Sequence, residues 1–219
     1  MGFRLPYLHE FLILAGVHFF AVVVPGIDFA VVTQQSISNG RQAGVITAIG
    51  IGLGISLHVL YTVLGFGLIV HTNQSIFTII KVISALYLVY LGLSMIRQNL
   101  RPRRPSPEAV ADQVGQQLAA KPQSIRASLI KGFVTNATNP KATIFFLGIF
   151  TSLVSPSTPI KVQLLYGLWM CFVNAGWFML VAYLFSTRAV RDLFLQKKKW
   201  FEIAMGVLLI TLAINLLVA

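Results

Sequence analysis

The sequence predicts an all-α polytopic membrane protein: six transmembrane helices forming two inverted three-helix repeats, with the first and fourth helices broken. Composition is the first ground. Of 219 residues, 56% are hydrophobic and only 11% charged, with a mean hydropathy of +0.79, whereas soluble domains carry about 25% charged residues. The second ground is a pair of proline breaks inside apolar runs, at Pro25-Gly26-Ile27-Asp28 and at Asn139-Pro140-Lys141. The third is the placement of Lys and Arg, which gather on one side of an alternating path.

A spanning helix needs about 20 mostly apolar residues. Six stretches meet that need: 8–33, 43–70, 76–96, 127–155, 162–185 and 201–218. They fill most of the chain, so residues 1–219 read as one membrane domain. Its first repeat covers about 8–96, a cytoplasmic linker 97–126 and a second repeat 127–218.

The first stretch has an Arg4 flank like a signal peptide, but no small-x-small cleavage site follows. It reads as a retained helix. The second stretch is rich in small residues, Gly44, Ala48, Gly50, Gly52, Gly54 and Ser56, and Gly50-x-x-x-Gly54 lets helix backbones approach closely. Its Gly-x-Gly-x-Gly run is no nucleotide loop, because no strand precedes it and no Gly-Lys-Ser/Thr follows. Pro102, Pro105 and Pro107 stop the third helix and favour an extended linker, within which 108–120 has only weak apolar content.

The fourth stretch breaks at Pro140, 115 residues after Pro25, and each break is followed by an apolar half-helix and two further spans. Three spans per half make the second half enter the membrane in the opposite sense. Helices broken at matching places in two halves point to a transport site at the interface of the repeats. The fifth stretch sets Asn174 among Trp169, Trp177 and Tyr183. Trp200 and Tyr7 suit the interfacial belt.

The net charge of +11 is topological in this reading. With the N-terminus outside, the inside loops hold Arg41, then Arg97, Arg101, Arg103, Arg104, Lys121 and Arg126, then Arg188, Arg191, Lys197, Lys198 and Lys199. Outside fall Arg4 and Lys161, while Lys81, Lys131 and Lys141 lie in or at the ends of spans. Both chain ends are therefore expected on the non-cytoplasmic side, with the lipid bilayer rather than nucleic acid as partner. Cys171 is alone, which excludes an intrachain disulfide or a dithiol relay. Without an HExxH, EF-hand or CxxC spacing, neither a metal nor a cofactor is expected.

Asp28 is the first candidate for chemistry. A carboxylate within a lipid-crossing stretch is a functional-site hypothesis by default. At the start of a half-helix it either satisfies free amides, or binds a substrate ammonium or exchanges protons, and these roles are compatible. Asn136, Thr138, Asn139 and Lys141 form the polar counterpart at the second break, beside Pro140. The asparagines either satisfy backbone groups freed by the break or hold the charged groups of a zwitterion. Lys141 either snorkels to the cytoplasmic face or offers its charge to an anion. Asn174 is a weaker candidate for the same cavity, and Phe145-Phe146 are candidates for an apolar wall.

Among the histidines, His9 and His71 lie near span ends. His18 and His58 are deeper, and a relay from Asp28 to His58 is one route for proton coupling. Gly44, Gly50 and Gly54, with Gly26 at the break, permit close packing and rocking of the halves.

Taken together, Pro25-Gly26-Ile27-Asp28-Phe29, Ser38-Asn39-Gly40-Arg41-Gln42-Ala43-Gly44 and Gly50-Ile51-Gly52-Leu53-Gly54 resemble the LysE/RhtB family of amino-acid exporters. Asn139-Pro140-Lys141-Ala142 followed by Phe145-Phe146 is similar to that family's second signature. The resemblance covers nearly the whole chain. The family's usual Pro-Gly-Pro-Asp has Ile27 in place of its second proline, which keeps the break and the acid. The resemblance implies proton-coupled efflux of amino acids such as threonine, homoserine, leucine or lysine across a bacterial inner membrane. Related disulfide-reductant transporters use a cysteine pair, which Cys171 alone cannot supply.

Asp28 would then be the amine and proton site, with Asn136 and Asn139 on the zwitterion. The small-residue faces are compatible with a homodimer. Two rivals are an intramembrane enzyme, which needs a second positioned acid or a Ser/His pair, and a structural or assembly subunit without transport.

Overall fold

The first apolar run is two helices. α1 (Leu5–Val23) stops ahead of Pro25, α2 (Ile27–Ser38) starts after Gly26, and the chain bends by 52° between them. Proline lacks the N–H that would continue the helix, and its ring drives the preceding residue out of the helical region. Val24 is therefore the last residue that could have stayed helical, and it does not. Asn39 and Gly40 then turn the chain into α3 (Arg41–Thr72), with Gly40 at φ +88, a left-handed conformation that a side chain would disfavour.

The computed structural model describes residues 5–72, 74–100, 124–155, 157–184 and 188–218, the side chains of 5, 6, 66–72, 74, 76, 77, 80, 98–100, 188–198 and 201 excepted. The linker residues 101–123, including 108–120, lie outside them, as do Arg4 and the side chains of His71, Arg188, Arg191, Lys197 and Lys198. After α3 come α4 (Gln74–Leu100), α5 (Ile125–Ala137), α6 (Pro140–Leu153), α7 (Ile160–Leu184) and α8 (Arg188–Val218). No strand occurs among the described residues.

The second break repeats the first with a better cap. Pro140 opens α6, where its missing N–H is no loss. Asn139 precedes it in an extended conformation, and its Oδ1 accepts from the amides of Lys141 at 3.0 Å and Ala142 at 3.4 Å. That is an N-cap of the ordinary kind.

Among the described residues, two helices are long and apolar enough to cross a bilayer unaided, over Arg41–Gly65 and Ile160–Leu184, and the bent α1–α2 pair makes a third. Pro140–Leu153 and Glu202–Val218 are apolar but shorter. α5 brings Arg126, Lys131, Thr135 and Asn136, so the fourth run is less apolar than its length suggests.

The surface identifies the solvent. Leu53, Leu57, Leu60 and Leu64 form an exposed stripe on α3, as do Ile79, Ile83, Leu86 and Tyr90 on α4. Meanwhile His18, Thr47, His58, Asn136 and Asn174 are buried. A water-soluble protein rarely exposes apolar stripes of this size. Hydrocarbon accepts them, and the polar side chains turn inward instead. The chain is a helical membrane protein.

α3 packs along both α5 and α7, and α4 along α8. The α3–α5 seam is made of small residues. A Cβ at Gly50 would strike the Leu129 carbonyl, and one at Gly132 would strike the Thr47 carbonyl. Thr47 Oγ1 donates across the seam to the Ser128 carbonyl at 3.2 Å. A Cβ at Gly44 would strike Ser36 Oγ and lie 3.1 Å from Ala182 Cβ, so α3 also meets α2 and α7 through a small residue.

Gly50→Ala should therefore destabilise the protein by about 1–3 kcal/mol, the usual cost of overpacking. Gly176→Ala, inside α7 with nothing within 4 Å of the added carbon, should not destabilise it and should gain up to about 1 kcal/mol of helix propensity. Thermal unfolding of the two purified variants in one detergent compares them.

Candidate functional site

The two helix breaks meet. Asn136, one residue before the end of α5, donates from Nδ2 to Oδ2 of Asp28 in the first turn of α2, at 2.9 Å. The Asp28 carboxylate thus crosses to the other break rather than capping its own helix; no side-chain cap forms at Gly26. Gly54 makes this possible. A Cβ there would lie 2.9 Å from both Cβ and Oδ1 of Asn136, so α3 can press α5 toward α2 only because residue 54 is glycine.

This contact borders a cavity of about 110 Å³. That is the scale of an apolar cavity of ~150 Å³ that accepts a benzene molecule. Asp28, Asn136, Asn139, Gly26 and Lys141 line its break side, with Lys141 exposed at the rim. Phe145, Phe146 and Phe178 form apolar wall, and Met95 of α4 with Met205 of α8 complete it. Asn174 and His18 line the remaining part.

Two acceptors in the cavity wall are unanswered. Asp28 Oδ1 and Asn136 Oδ1 are both buried and have no hydrogen-bond partner among the described residues. A buried unsatisfied polar atom costs about 1–3 kcal/mol and calls for an explanation.

His58 does not line the cavity. Its Nε2 donates to the Asn136 carbonyl at 2.9 Å, its Nδ1 meets the Tyr61 hydroxyl, and its ring stacks on Phe146 at 5.6 Å. It answers a carbonyl at the end of α5 and so holds the break in shape. Pro25 and Pro140 shape the cavity from behind without lining it. Asn139 lines it, but with Oδ1 already engaged as the cap of α6.

Asn174 reaches His18, with Nδ2 2.8 Å from His18 Nε2. The sequence marks His18 only as a deep histidine, and nothing local distinguishes it. Glu10, the acid of α1, lies apart from the cavity wall. It accepts from the Ser155 amide at 2.9 Å and from Thr158 Oγ1 at 3.0 Å, tying α1 to the connection between α6 and α7. Among the described residues, no group of three His, Cys, Asp or Glu side chains comes together as a metal site would require.

Fold and cavity together define a class: a helical membrane protein with a cavity, mostly apolar but bordered by Asp28 and Asn136, where two interrupted helices meet. Residues 19–219 match the family described as LysE type translocator, and the chain belongs to that family. It is 31% identical over 211 residues to the threonine efflux protein of Escherichia coli strain K12, covering 95% of this chain and 98% of that protein. The threonine efflux protein of Salmonella typhimurium is similar to the same extent, 31% over 211 residues with the same coverage. The membrane protein YahN of Escherichia coli K12 is 23% identical over 214 residues, covering 96% of this chain and 90% of that protein. No solved structure matches the chain.

Asn136→Ala should cost about 1–3 kcal/mol by stranding the Asp28 carboxylate without its donor. Asp28→Ala combined with Asn136→Ala should cost less than the two alone, by about 0.5–3 kcal/mol. Unfolding equilibria of the four proteins in mixed micelles measure that coupling, and strict additivity would mean the two side chains do not interact.

Proposed function

We propose that this protein is a secondary exporter of small amino acids, driven by proton entry, with the cavity at the two breaks as its binding site. The observation that carries the proposal is the pair of unanswered acceptors, Asp28 Oδ1 and Asn136 Oδ1. An ammonium group offers hydrogen-bond donors to both and neutralises the carboxylate. A proton on Asp28 answers the same oxygen in the absence of substrate. One site that takes either an ammonium or a proton, and not both, is the minimum requirement for exchange. Lys141 at the rim and the side-chain amide of Asn139 suit the substrate's carboxylate. His58, bonded to the carbonyl of Asn136, is positioned to feel any change at that residue and is the second group we assign to proton coupling.

Family membership supports the export reading, and relatives named for threonine efflux make threonine the first substrate to try. For the architecture we propose six spans in two inverted repeats. The proline offset of 115 residues recurs in the packing, which favours a pseudo-twofold relation. Gly52 of α3 packs on Cys171 and Ala175 of α7, and Gly167 of α7, also 115 residues on, packs on Val59 of α3. Gly92 of α4 and Gly206 of α8 each face the other's carbonyl.

The alternating path has support from contacts between ends. Glu10 meets Ser155 and Thr158, all expected outside, while Arg41 lies 4.9 Å over the ring of Tyr183, both expected inside. We accordingly assign both chain ends to the outer side of a bacterial inner membrane.

Reconstituted protein should drive amino-acid counterflow in proteoliposomes, and an opposing proton gradient should accelerate net movement severalfold. Asp28→Asn keeps the amide contact with Asn136 but loses the exchangeable proton, so its residual transport should no longer respond to the gradient. Gradient-driven transport by Asp28→Asn would refute the assignment.

A further inference from the structure

We infer that His18 determines specificity: its Nδ1–H donates to an acceptor oxygen on the side chain of the transported amino acid. The inference rests on the exporter reading and adds to it which side chains the cavity prefers.

The tautomer follows from geometry. Asn174 Nδ2 lies 3.1 Å from the Met170 carbonyl and 2.8 Å from His18 Nε2. A carbonyl can only accept, so the nitrogen end of the amide must face Met170. The second hydrogen on that nitrogen then goes to His18 Nε2, which must accept it and so carries no hydrogen. The proton of the neutral ring is therefore on Nδ1. A doubly protonated ring would set N–H against N–H at Asn174.

Nδ1 is buried and has no hydrogen-bond partner among the described residues. His18 is 1% exposed and lines the cavity, with its ring edge-on to Phe146 at 5.9 Å and to Trp169 at 5.6 Å. Leucine or phenylalanine would fill such an aromatic niche without stranding a donor. A donor held in one tautomer by a dedicated amide, on the wall of a cavity, is suited to a ligand that brings the acceptor.

The charged ends of the substrate are already provided for. Asp28 and Asn136 answer the ammonium, and Lys141 the carboxylate. His18 bonds to neither pole: its contacts are Asn174, Phe146 and Trp169, whereas Asn136 is engaged by Asp28 and His58. His18 therefore faces the side chain of the solute rather than its zwitterion. A site built to hydrogen-bond a hydroxyl discriminates strongly against an analogue lacking it, because its own polar group is then left unpaired.

The test compares isosteres in counterflow by the full-length protein in proteoliposomes: labelled L-threonine against L-valine, and L-homoserine against L-norvaline. The wild type should favour the hydroxyl-bearing member of at least one pair by about tenfold or more. His18→Gln can keep an acceptor for Asn174 but has no donor at the Nδ1 position, so its ratio should fall close to one. His18→Asn restores an N–H near Nδ1 and should recover part of the preference. A wild type that carries both members of each pair equally overturns the inference, and so does an unchanged ratio in His18→Gln. An equal wild-type ratio overturns the inference even if neither variant folds, and either variant that does fold reads the contribution of His18. Absence of counterflow for a whole amino-acid panel is a different result, and counts against the exporter reading itself.

Discussion

One hydrogen bond between side chains 108 residues apart, Asn136 to Asp28, joins the two places where this molecule's helices are interrupted. Each interruption frees backbone groups that lipid cannot hydrate, and such backbone survives at membrane depth only when protein or a wet cavity covers it. Bringing the breaks together solves the problem for both at once. Other features serve that meeting. Glycine at position 54 lets α3 hold Asn136 close, His58 takes the carbonyl at the end of α5, and Asn139 caps the helix that restarts. The carboxylate is costly in such a place. An Asp at the centre of a lipid-crossing helix carries a penalty of roughly 2.5–3.5 kcal/mol on insertion scales. Asp28 lessens that penalty with one amide contact and leaves one oxygen open.

Hydrocarbon as the surrounding solvent accounts for the way the rest is packed. Apolar stripes on α3 and α4 face outward because burial would gain them little. Helix association then depends on close van der Waals approach and interhelical hydrogen bonds. The small-residue seam between α3 and α5 provides the first, and Thr47 to the Ser128 carbonyl provides one of the second. Rigidity at that seam and openness at the cavity are complementary.

Much of this was legible in the sequence, and the reason differs from residue to residue. Proline acts locally through its missing N–H and its ring, so the breaks at Pro25 and Pro140 could be read directly. Asp28, Asn136 and Asn139 stood out because polar groups in apolar runs need a reason. Their pairing did not, since nothing in the chain indicates that residue 28 meets residue 136 rather than amides of its own helix. Asn139 proved to be a helix cap as well as a cavity residue, both of which the sequence had left open.

His18 was the larger omission. Its role depends on a tautomer fixed by an amide 156 residues away, which no local pattern carries. The contributions of Met95 and Met205 were equally hidden, because α4 and α8 look like plain apolar helices until their faces are assigned. The paired glycines at 92 and 206 became meaningful only once each was seen against the other's carbonyl.

In the proposed exchange Asp28 holds a proton or an ammonium in turn, and the steps of transport follow from which of the two occupies it. Substrate binding and proton release should be one event. Adding a transported amino acid to purified protein in weakly buffered detergent solution, with a pH dye as reporter, tests this most directly. Wild-type protein is predicted to release protons in proportion to the amino acid bound, and Asp28→Asn to release none. Equal release by both proteins, or saturable binding to the wild type with no release at any pH tried, would contradict the account.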